Sequence, residues 1–241
     1  MGRLSSSLAA WLGRLLKVVM AAVVLPFGVA LLGGILAQLG LISASGGTVR
    51  QWIEWGAMTY LGVHVLLYRP VPLFHTSHRL FSTLAVWLFG GHVASVEQAG
   101  GGKGKGTKET KGKGGPAAQG STLVAFSPYV IPLSAMLVSA AGWGLGRWLD
   151  HAMLDGPAAF LIGMAMAFHW LMTADDLQQQ RTRWHLETYL LAIGLVFVVT
   201  LLIGSACLPW TVPEFSFLQA LGEAFRRTQA IYATLIQQLF L

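Results

Sequence analysis

The stretch FHTSHRLFSTLAVWLFGGHV at residues 74–93 brings titratable side chains to the start of an apolar block. A short zinc motif places His, Glu and a second His within five positions of one helix, so that two imidazoles share a face and the Glu activates a metal-bound water. Here the five positions begin at His78, continue with Arg79 and end at Ser82. A cation therefore stands at the position of the base, and a hydroxyl stands at the position of the second imidazole. The pattern predicts a metal site that has lost its chemistry.

Two more histidines, His64 and His169, stand in apolar segments and could join His78. Three imidazoles can bind a metal ion, and two can ligate the metal of a haem or a chlorophyll. An ionisable side chain inside a membrane segment is by default a candidate functional site. The simpler interpretation is that each imidazole makes a hydrogen bond between helices. We therefore expect no cofactor, and zinc or a His-ligated cofactor at these histidines is the alternative.

Two adjacent carboxylates, Asp175 and Asp176, precede Arg181 and Arg183 in the chain. Paired carboxylates can act as acid and base. The arginines one to two helical turns further on instead favour an ion-pair cluster at the membrane surface. The same carboxylates, or those of a partner, could also pair with Arg79.

The composition places the chain in a membrane. Hydrophobic residues make up 54% of the 241 residues and charged residues 11%, whereas a water-soluble domain carries about 25% charged residues. The single cysteine, Cys207, excludes an internal disulfide framework. Much of the net charge of +6 comes from one loop. It indicates topology, and we expect the lipid bilayer as a partner and no nucleic acid.

Apolar segments long enough to cross a bilayer predict an all-α integral membrane protein with about five transmembrane helices. The predicted spans cover about residues 16–41, 49–68, 123–149, 157–177 and 186–208. An amphipathic segment at 2–15 precedes the first span. The block at 80–91 is too short to cross and suits a short buried or re-entrant helix.

The distribution of basic residues predicts the orientation, because cytoplasmic loops are enriched in Lys and Arg. With the N-terminus in the cytoplasm and five spans, twelve of the 16 Lys and Arg residues fall inside. The C-terminus then lies outside. The Gly- and Lys-rich segment 99–121 cannot bury enough apolar surface to fold, so it is predicted to be a flexible loop. It separates an N-terminal region, 1–98, from spans three to five in 122–210 and a C-terminal amphipathic helix in 211–241.

The C-terminal segment repeats apolar residues at alternating steps of three and four, which places them along one seam of a helix. Such a helix could lie in the membrane interface or on the chain's own spans. It could also dock a partner subunit. The seam residues that would bind the partner are Leu218, Leu221, Phe225, Tyr232, Leu235 and Leu239.

Three separated patches carry a resemblance to a known family. They are HRLFSTLAVWLFGGHV at 78–93, AFSPYVIPL at 125–133 and AFHWLMTADDLQQQRTRW at 167–184. In this order they resemble the site-2-protease-like family of intramembrane zinc metallopeptidases, in its small bacterial branch. The resemblance implies a multi-pass protein of the bacterial inner (cytoplasmic) membrane, and it covers about residues 60–200.

The resemblance also assigns roles position by position. The first His ligand falls on His78, the glutamate base on Arg79, the second His ligand on Ser82 and the acidic ligand on Arg183. A catalytic zinc needs three protein ligands and an open position for water, so we expect an inactive relative and no enzyme activity.

The function that we expect is that of a non-catalytic structural or assembly subunit of a larger membrane complex, together with other membrane protein subunits. One alternative is a membrane subunit that carries a His-ligated cofactor or pigment in photosynthesis or respiration. A second is an active intramembrane metalloprotease with rearranged ligands.

Overall fold

A computed structural model describes residues 2–44, 48–67, 72–88, 129–148, 151–180 and 185–240. These residues form seven α-helices and no strand, so the described part of the chain is all-helical, as predicted. The predicted flexible loop at 99–121 and the site position Arg183 lie outside the described residues. The helices are α1 (Gly2–Ala44), α2 (Val49–Leu66), α3 (Pro72–Leu88), α4 (Leu133–Leu145), α5 (His151–Gln180), α6 (Leu186–Cys207) and α7 (Phe217–Phe240), with a 3₁₀ turn (Leu208–Trp210) after α6.

Three of the helices in the described ranges are long and apolar enough to cross a membrane. Their apolar stretches are Trp11–Ile42 in α1, Asp155–Gln178 in α5, and Leu186–Trp210, which joins α6 to the 3₁₀ turn. They correspond to the first, fourth and fifth predicted spans. The predicted count of five is not confirmed.

The other two predicted spans differ from the structure for local reasons. The second coincides with α2, whose 18 residues include Arg50, Glu54 and His64, so its apolar character is low. The third was predicted over 123–149, but α4 has 13 residues and begins only after Pro132. A proline lacks the amide hydrogen that a helix interior needs, so α4 starts after Pro132. Residues 123–128 of the predicted span lie outside the described residues, and a crossing over 123–149 stays a prediction.

The short helix α3 also differs from its prediction. It begins at Pro72, eight residues before the predicted block, because proline is well tolerated in the first turn of a helix. His78 and Ala85 are buried, whereas Leu80, Leu84 and Trp87 are exposed. The helix therefore packs on one face against the described residues, and the prediction of a buried or re-entrant helix stays a prediction.

The first helix and the sixth run side by side in the same direction. Near their beginnings, Lys17 Nζ donates to Thr188 Oγ1 at 3.0 Å. Further along, Gly28 lies directly against Val198. The predicted amphipathic lead-in at 2–15 is continuous with this helix, since α1 runs unbroken through Gly2–Ala44 with Pro26 inside it.

The second and fifth helices also run in the same direction and lie very close together. A methyl group at Gly56 would collide with the carbonyl oxygen of Phe160, and one at Gly163 would collide with that of Ile53. Small residues at such contacts let two backbones approach within van der Waals distance. These two glycines fix how α2 sits on α5, and hence which side chains of the two helices meet.

The C-terminal helix lies on the chain's own first helix. Gln38 Nε2 donates to Gln219 Oε1 at 3.2 Å, and the rings of Phe27 and Phe225 are 5.3 Å apart. Because the contacts on α1 move towards its start as α7 proceeds, the two helices are antiparallel. The main core lies where α1, α5, α6 and α7 meet and includes the buried side chains of Leu31, Ile35, Leu39, Ile162, Leu201, Ala220 and Ala224.

The seam predicted to bind a partner is partly used within the chain. Leu221 packs against the core, Phe225 contacts α1, and the Tyr232 hydroxyl donates to the carbonyl oxygen of Ala22 at 3.0 Å. Leu218 and Leu235 are exposed. The side chain of Leu239 is not among those that the structure describes.

Candidate functional site

A buried histidine–carboxylate pair joins α3 to α5. His78 Nε2 and Asp176 Oδ2 are 2.9 Å apart, a hydrogen bond in which the imidazole N–H donates to the carboxylate. The His78 side chain is 8% exposed and that of Asp176 is 34% exposed. A carboxylate on one ring nitrogen fixes the orientation and tautomer of an imidazole.

One face of α5 supplies most of the polar groups near this pair. His169, Thr173 and Asp176 are spaced by four and then three residues, which aligns them on a helix. His169 is buried, and its Nε2–H donates to the carbonyl oxygen of Tyr129 at 3.2 Å. The Thr173 hydroxyl is buried and has no hydrogen-bond partner among the described residues. The face therefore connects α5 to α3 at one position and to the segment before α4 at another.

Aromatic side chains surround the pair. The ring of Phe168 lies 6.1 Å from His78, 5.6 Å from Tyr60 and 6.4 Å from Phe81, each in an edge-to-face arrangement. Such geometry stabilises aromatic contacts beyond their buried area. Phe168 thus holds α2, α3 and α5 together around His78, and it shields one side of the imidazole from the surroundings.

The other positions of the altered motif do not meet at this site. Arg79 is exposed, and it makes no ion pair with any residue in the described ranges. Ser82 is half-buried one turn further along α3. Asp176 is paired with His78 and not with Arg79, and the prediction that Arg79 pairs with these aspartates or with a partner's carboxylates stays a prediction.

The third histidine, His64, lies on the α2 side of the aromatic cluster. Its ring is 5.8 Å from that of Tyr60, which itself contacts Phe168. Its Nδ1 atom is buried and has no hydrogen-bond partner within the described part of the chain. The structure thus connects His64 to the cluster through aromatic rings, with no direct bond between the histidines.

The donor groups do not fit a catalytic zinc. Nowhere in the described ranges do three His, Cys, Asp or Glu side chains converge closely enough to hold a metal ion. His78 and Asp176 alone supply two donors, whereas catalytic zinc takes three protein ligands. The arrangement can orient an imidazole and hold a proton between the two groups, and we derive no metal-dependent step from it.

A second feature is an apolar cavity of about 630 Å³ between α1, α2, α5 and α6. Its size is within the range of small-molecule sites. Almost all of its lining is hydrocarbon, and the Glu54 carboxylate at its edge already accepts a hydrogen bond from Arg50 Nε at 2.6 Å. The cavity fits an apolar chain and offers little to orient a polar substrate.

Sequence reasoning missed the partner of His78. The signal was present, since the four- and three-residue spacing of His169, Thr173 and Asp176 marks one helix face. Nothing in the sequence showed that this face meets α3.

Comparisons of the chain with models of protein families, with curated proteins and with solved structures find no match.

Proposed function

We propose that this chain is a non-catalytic membrane protein on a metalloprotease-like scaffold, and that it acts as a structural or assembly subunit of a larger membrane complex. The observation that carries the proposal is that residues from the three resembling patches meet. His78 from the first patch bonds to Asp176 from the third, and His169 from the third bonds to Tyr129 from the second. Patches far apart in the chain thus share one site.

The loss of catalysis in this proposal follows from the groups around His78. The base position is Arg79, which is always protonated and is exposed. The second ligand position is Ser82, and the Nε2 atom of His78 is held by Asp176. An imidazole held in this way positions helices, and its Nε2 atom is engaged. The remaining nitrogen, Nδ1, is a single donor, whereas a catalytic zinc takes three protein ligands.

The helix directions support a multi-pass arrangement. α1 and α6 share one direction, and α2 and α5 share another. The two directions are opposite, since Met166 of α5 lies at Gly204 of α6 and Trp170 lies at Phe197. Crossings that alternate over five spans require these directions for the first, second, fourth and fifth spans. In this proposal the protein lies in the bacterial inner membrane with its N-terminus in the cytoplasm, where the basic residues are concentrated.

Purification from native membranes in a gentle detergent, with mass spectrometry and zinc analysis of the same peak, tests the proposal. We expect stable co-purifying subunits and substoichiometric zinc. The triple variant Arg79→Glu, Ser82→His, Arg183→Asp rebuilds the donor set and is the minimum change from which we expect zinc binding. Arg79→Glu with Ser82→His, which leaves Arg183 in place, is its matched control.

Two outcomes contradict the proposal. A chain that purifies alone in every detergent is not a subunit of a stable complex. Stoichiometric zinc in the unaltered protein, with cleavage of a membrane substrate that His78→Ala abolishes, would instead support an active metalloprotease with rearranged ligands.

A His-ligated cofactor is the second candidate, and His64 favours it. Its buried Nδ1 atom lacks a hydrogen-bond partner among the described residues, and a neutral imidazole nitrogen is a common metal ligand. The purified protein would then absorb visible light, and His64→Ala would remove the band while His185→Ala, at an exposed position, would retain it. A colourless peak contradicts this candidate.

A further inference from the structure

The C-terminal helix carries charged residues to the depth of the bilayer. It lies antiparallel to α1, and its contacts, from Gln38 with Gln219 to Ala22 with Tyr232, all fall within the apolar stretch Trp11–Ile42. A crossing needs about 20 residues, and every window of that length within this stretch includes residues 23–30. Phe27 and the Phe225 that stacks on it are therefore at hydrocarbon depth wherever α1 crosses.

Arg226 follows Phe225 directly and points away from α1. Its side chain is 77% exposed, and its guanidinium donates to Glu223 Oε2. Arg227 Nε donates to the other oxygen of Glu223 at 3.0 Å, and its guanidinium reaches back to Gly33 on α1. One carboxylate thus balances two guanidiniums, and Arg226 is the charge that faces outwards.

A charged helix face at hydrocarbon depth is expected to be covered by protein or water. Ionisable residues in membrane segments almost always face protein or a water-filled cavity, because a charge in hydrocarbon is costly. The charge-bearing face (Glu223, Arg226, Ala230 and Ala233) is covered by no other helix in the described ranges, and its two alanines are exposed. Small side chains beside a charge leave room for another helix to approach closely.

We propose that this face docks a transmembrane helix of a different membrane protein, and that this helix presents an Asp or Glu side chain to Arg226. The inference rests on the proposed role as a subunit of a membrane complex. The excess of positive charge calls for an anionic partner. Docking onto a second copy through the same face would place two faces with excess positive charge against each other. This repulsion disfavours a symmetric dimer.

The experiment uses the full-length chain in its native membranes. A photo-cross-linking amino acid replaces Ala230 or Ala233, and the same probe at Val29, which is 63% exposed on α1 at the same depth, is the control. We expect Ala230 and Ala233 to join a transmembrane helix of another protein that contains an acidic residue, and Val29 to join mainly lipid.

Exchanging the charges of Arg226 and of the partner's acidic residue tests whether the two side chains form an ion pair. Arg226→Glu should lower recovery of the partner by about tenfold or more, as expected when a desolvated charge pair is broken. Changing the partner's acidic residue to Lys should restore recovery in Arg226→Glu. Arg226→Lys, which keeps the charge, and Arg147→Glu, which makes the same reversal just after α4, should both retain the partner. These two variants also separate loss of docking from loss of folding.

Several results would overturn the inference. Cross-links to a second copy or to lipid alone exclude a heterologous partner, and unchanged recovery of the partner by Arg226→Glu excludes the charge pair. If the complex is isolated intact while the α7 probes join only lipid, the docking surface is wrong and the subunit role stands. If the chain purifies alone, both the docking surface and the proposed subunit role are wrong.

Discussion

At the scale of single residues, His78 is the position where sequence and structure give different meanings to one side chain. By sequence it is predicted to be the remaining ligand of an altered zinc motif. In the structure it is a buried imidazole whose Nε2–H is held by Asp176 at 2.9 Å and whose ring is packed against Phe168. A buried polar group left without its partner destabilises a fold, so the pair is expected to contribute to the stability of the α3–α5 contact.

A double-mutant cycle with His78→Ala and Asp176→Ala measures this contribution. Because the two groups share a hydrogen bond, the free energies of unfolding should show a coupling of about 1 kcal/mol or more. The partial exposure of Asp176 keeps the expected coupling small. The measurement is reversible unfolding in mixed micelles, followed by circular dichroism.

The matched control cycle combines Arg79→Ala with Asp176→Ala. Arg79 is exposed and makes no ion pair with Asp176, so these two changes should be additive. Coupling between Arg79 and Asp176, with none between His78 and Asp176, would show that the carboxylate prefers the arginine and that our assignment of the pair is wrong.

At the scale of elements, the contact between α2 and α5 depends on two glycines. Gly56 faces the carbonyl of Phe160, and Gly163 faces that of Ile53, so neither position has room for a methyl group. A carbonyl of a helix cannot rotate away as a flexible side chain can. The same contact aligns Tyr60 with Phe168 and thereby builds the aromatic wall beside His78.

Alanine at Gly56 or Gly163 should therefore separate the helices and destabilise the protein by about 1–3 kcal/mol, the usual range for overpacking. Gly62→Ala is the control on the same helix, since nothing lies within 4 Å of its added methyl group. That change should be neutral or stabilising by about 0.5–1 kcal/mol, because alanine favours a helix over glycine. Thermal unfolding in detergent ranks the three variants, and equal effects at Gly56 and Gly62 would contradict the close contact.

At the scale of the whole molecule, the four long central helices divide by direction. α1 and α6 begin at the same end, where Arg14 Nε and Glu187 Oε1 are 3.8 Å apart. α7 returns along α1, so it lies along a candidate span and not across it. Of the two positions predicted for this helix within the chain, the contacts favour the one on the chain's own spans. The predicted external C-terminus is the alternative that labelling of Gln238→Cys decides.

Cysteine labelling in a Cys207→Ala background tests the path of the chain. His185 precedes α6 and Glu214 follows it, and both are exposed. α6 is 22 residues long, which gives about 33 Å and is enough to cross the hydrocarbon core. We expect an impermeant maleimide to reach Glu214→Cys in intact cells and to reach His185→Cys only after the membrane is opened.

Gln238→Cys, near the end of α7, should behave like His185→Cys, because α7 runs antiparallel to α1 over its length. Ser5→Cys at the start of α1 is the control for the cytoplasmic side. Labelling of Gln238→Cys from outside would show that α7 does not follow α1 through the bilayer, and it would remove the basis for placing Arg226 at hydrocarbon depth.

The sequence by itself determined the class of the protein and the extent of several elements. Long apolar runs at low charge predict a membrane environment, since each residue contributes to transfer free energy irrespective of its neighbours in space. The spans predicted at 49–68, 157–177 and 186–208 match α2, α5 and α6 closely in position, because turn residues and prolines act locally. The same local rule places the start of α4 after Pro132 within the span predicted at 123–149.

Only the tertiary structure decided which faces meet. Three contacts join residues that are distant in the chain: the hydrogen bond between His78 and Asp176, the close approach of Gly56 to Phe160, and the packing of α7 along α1. One helix periodicity is compatible with many neighbours, and in a membrane the choice among them is made by close packing and interhelical hydrogen bonds. The sequence could therefore mark His78 as a residue of interest, and only the packing of the helices showed that His78 is hydrogen-bonded and that Arg226 faces outwards.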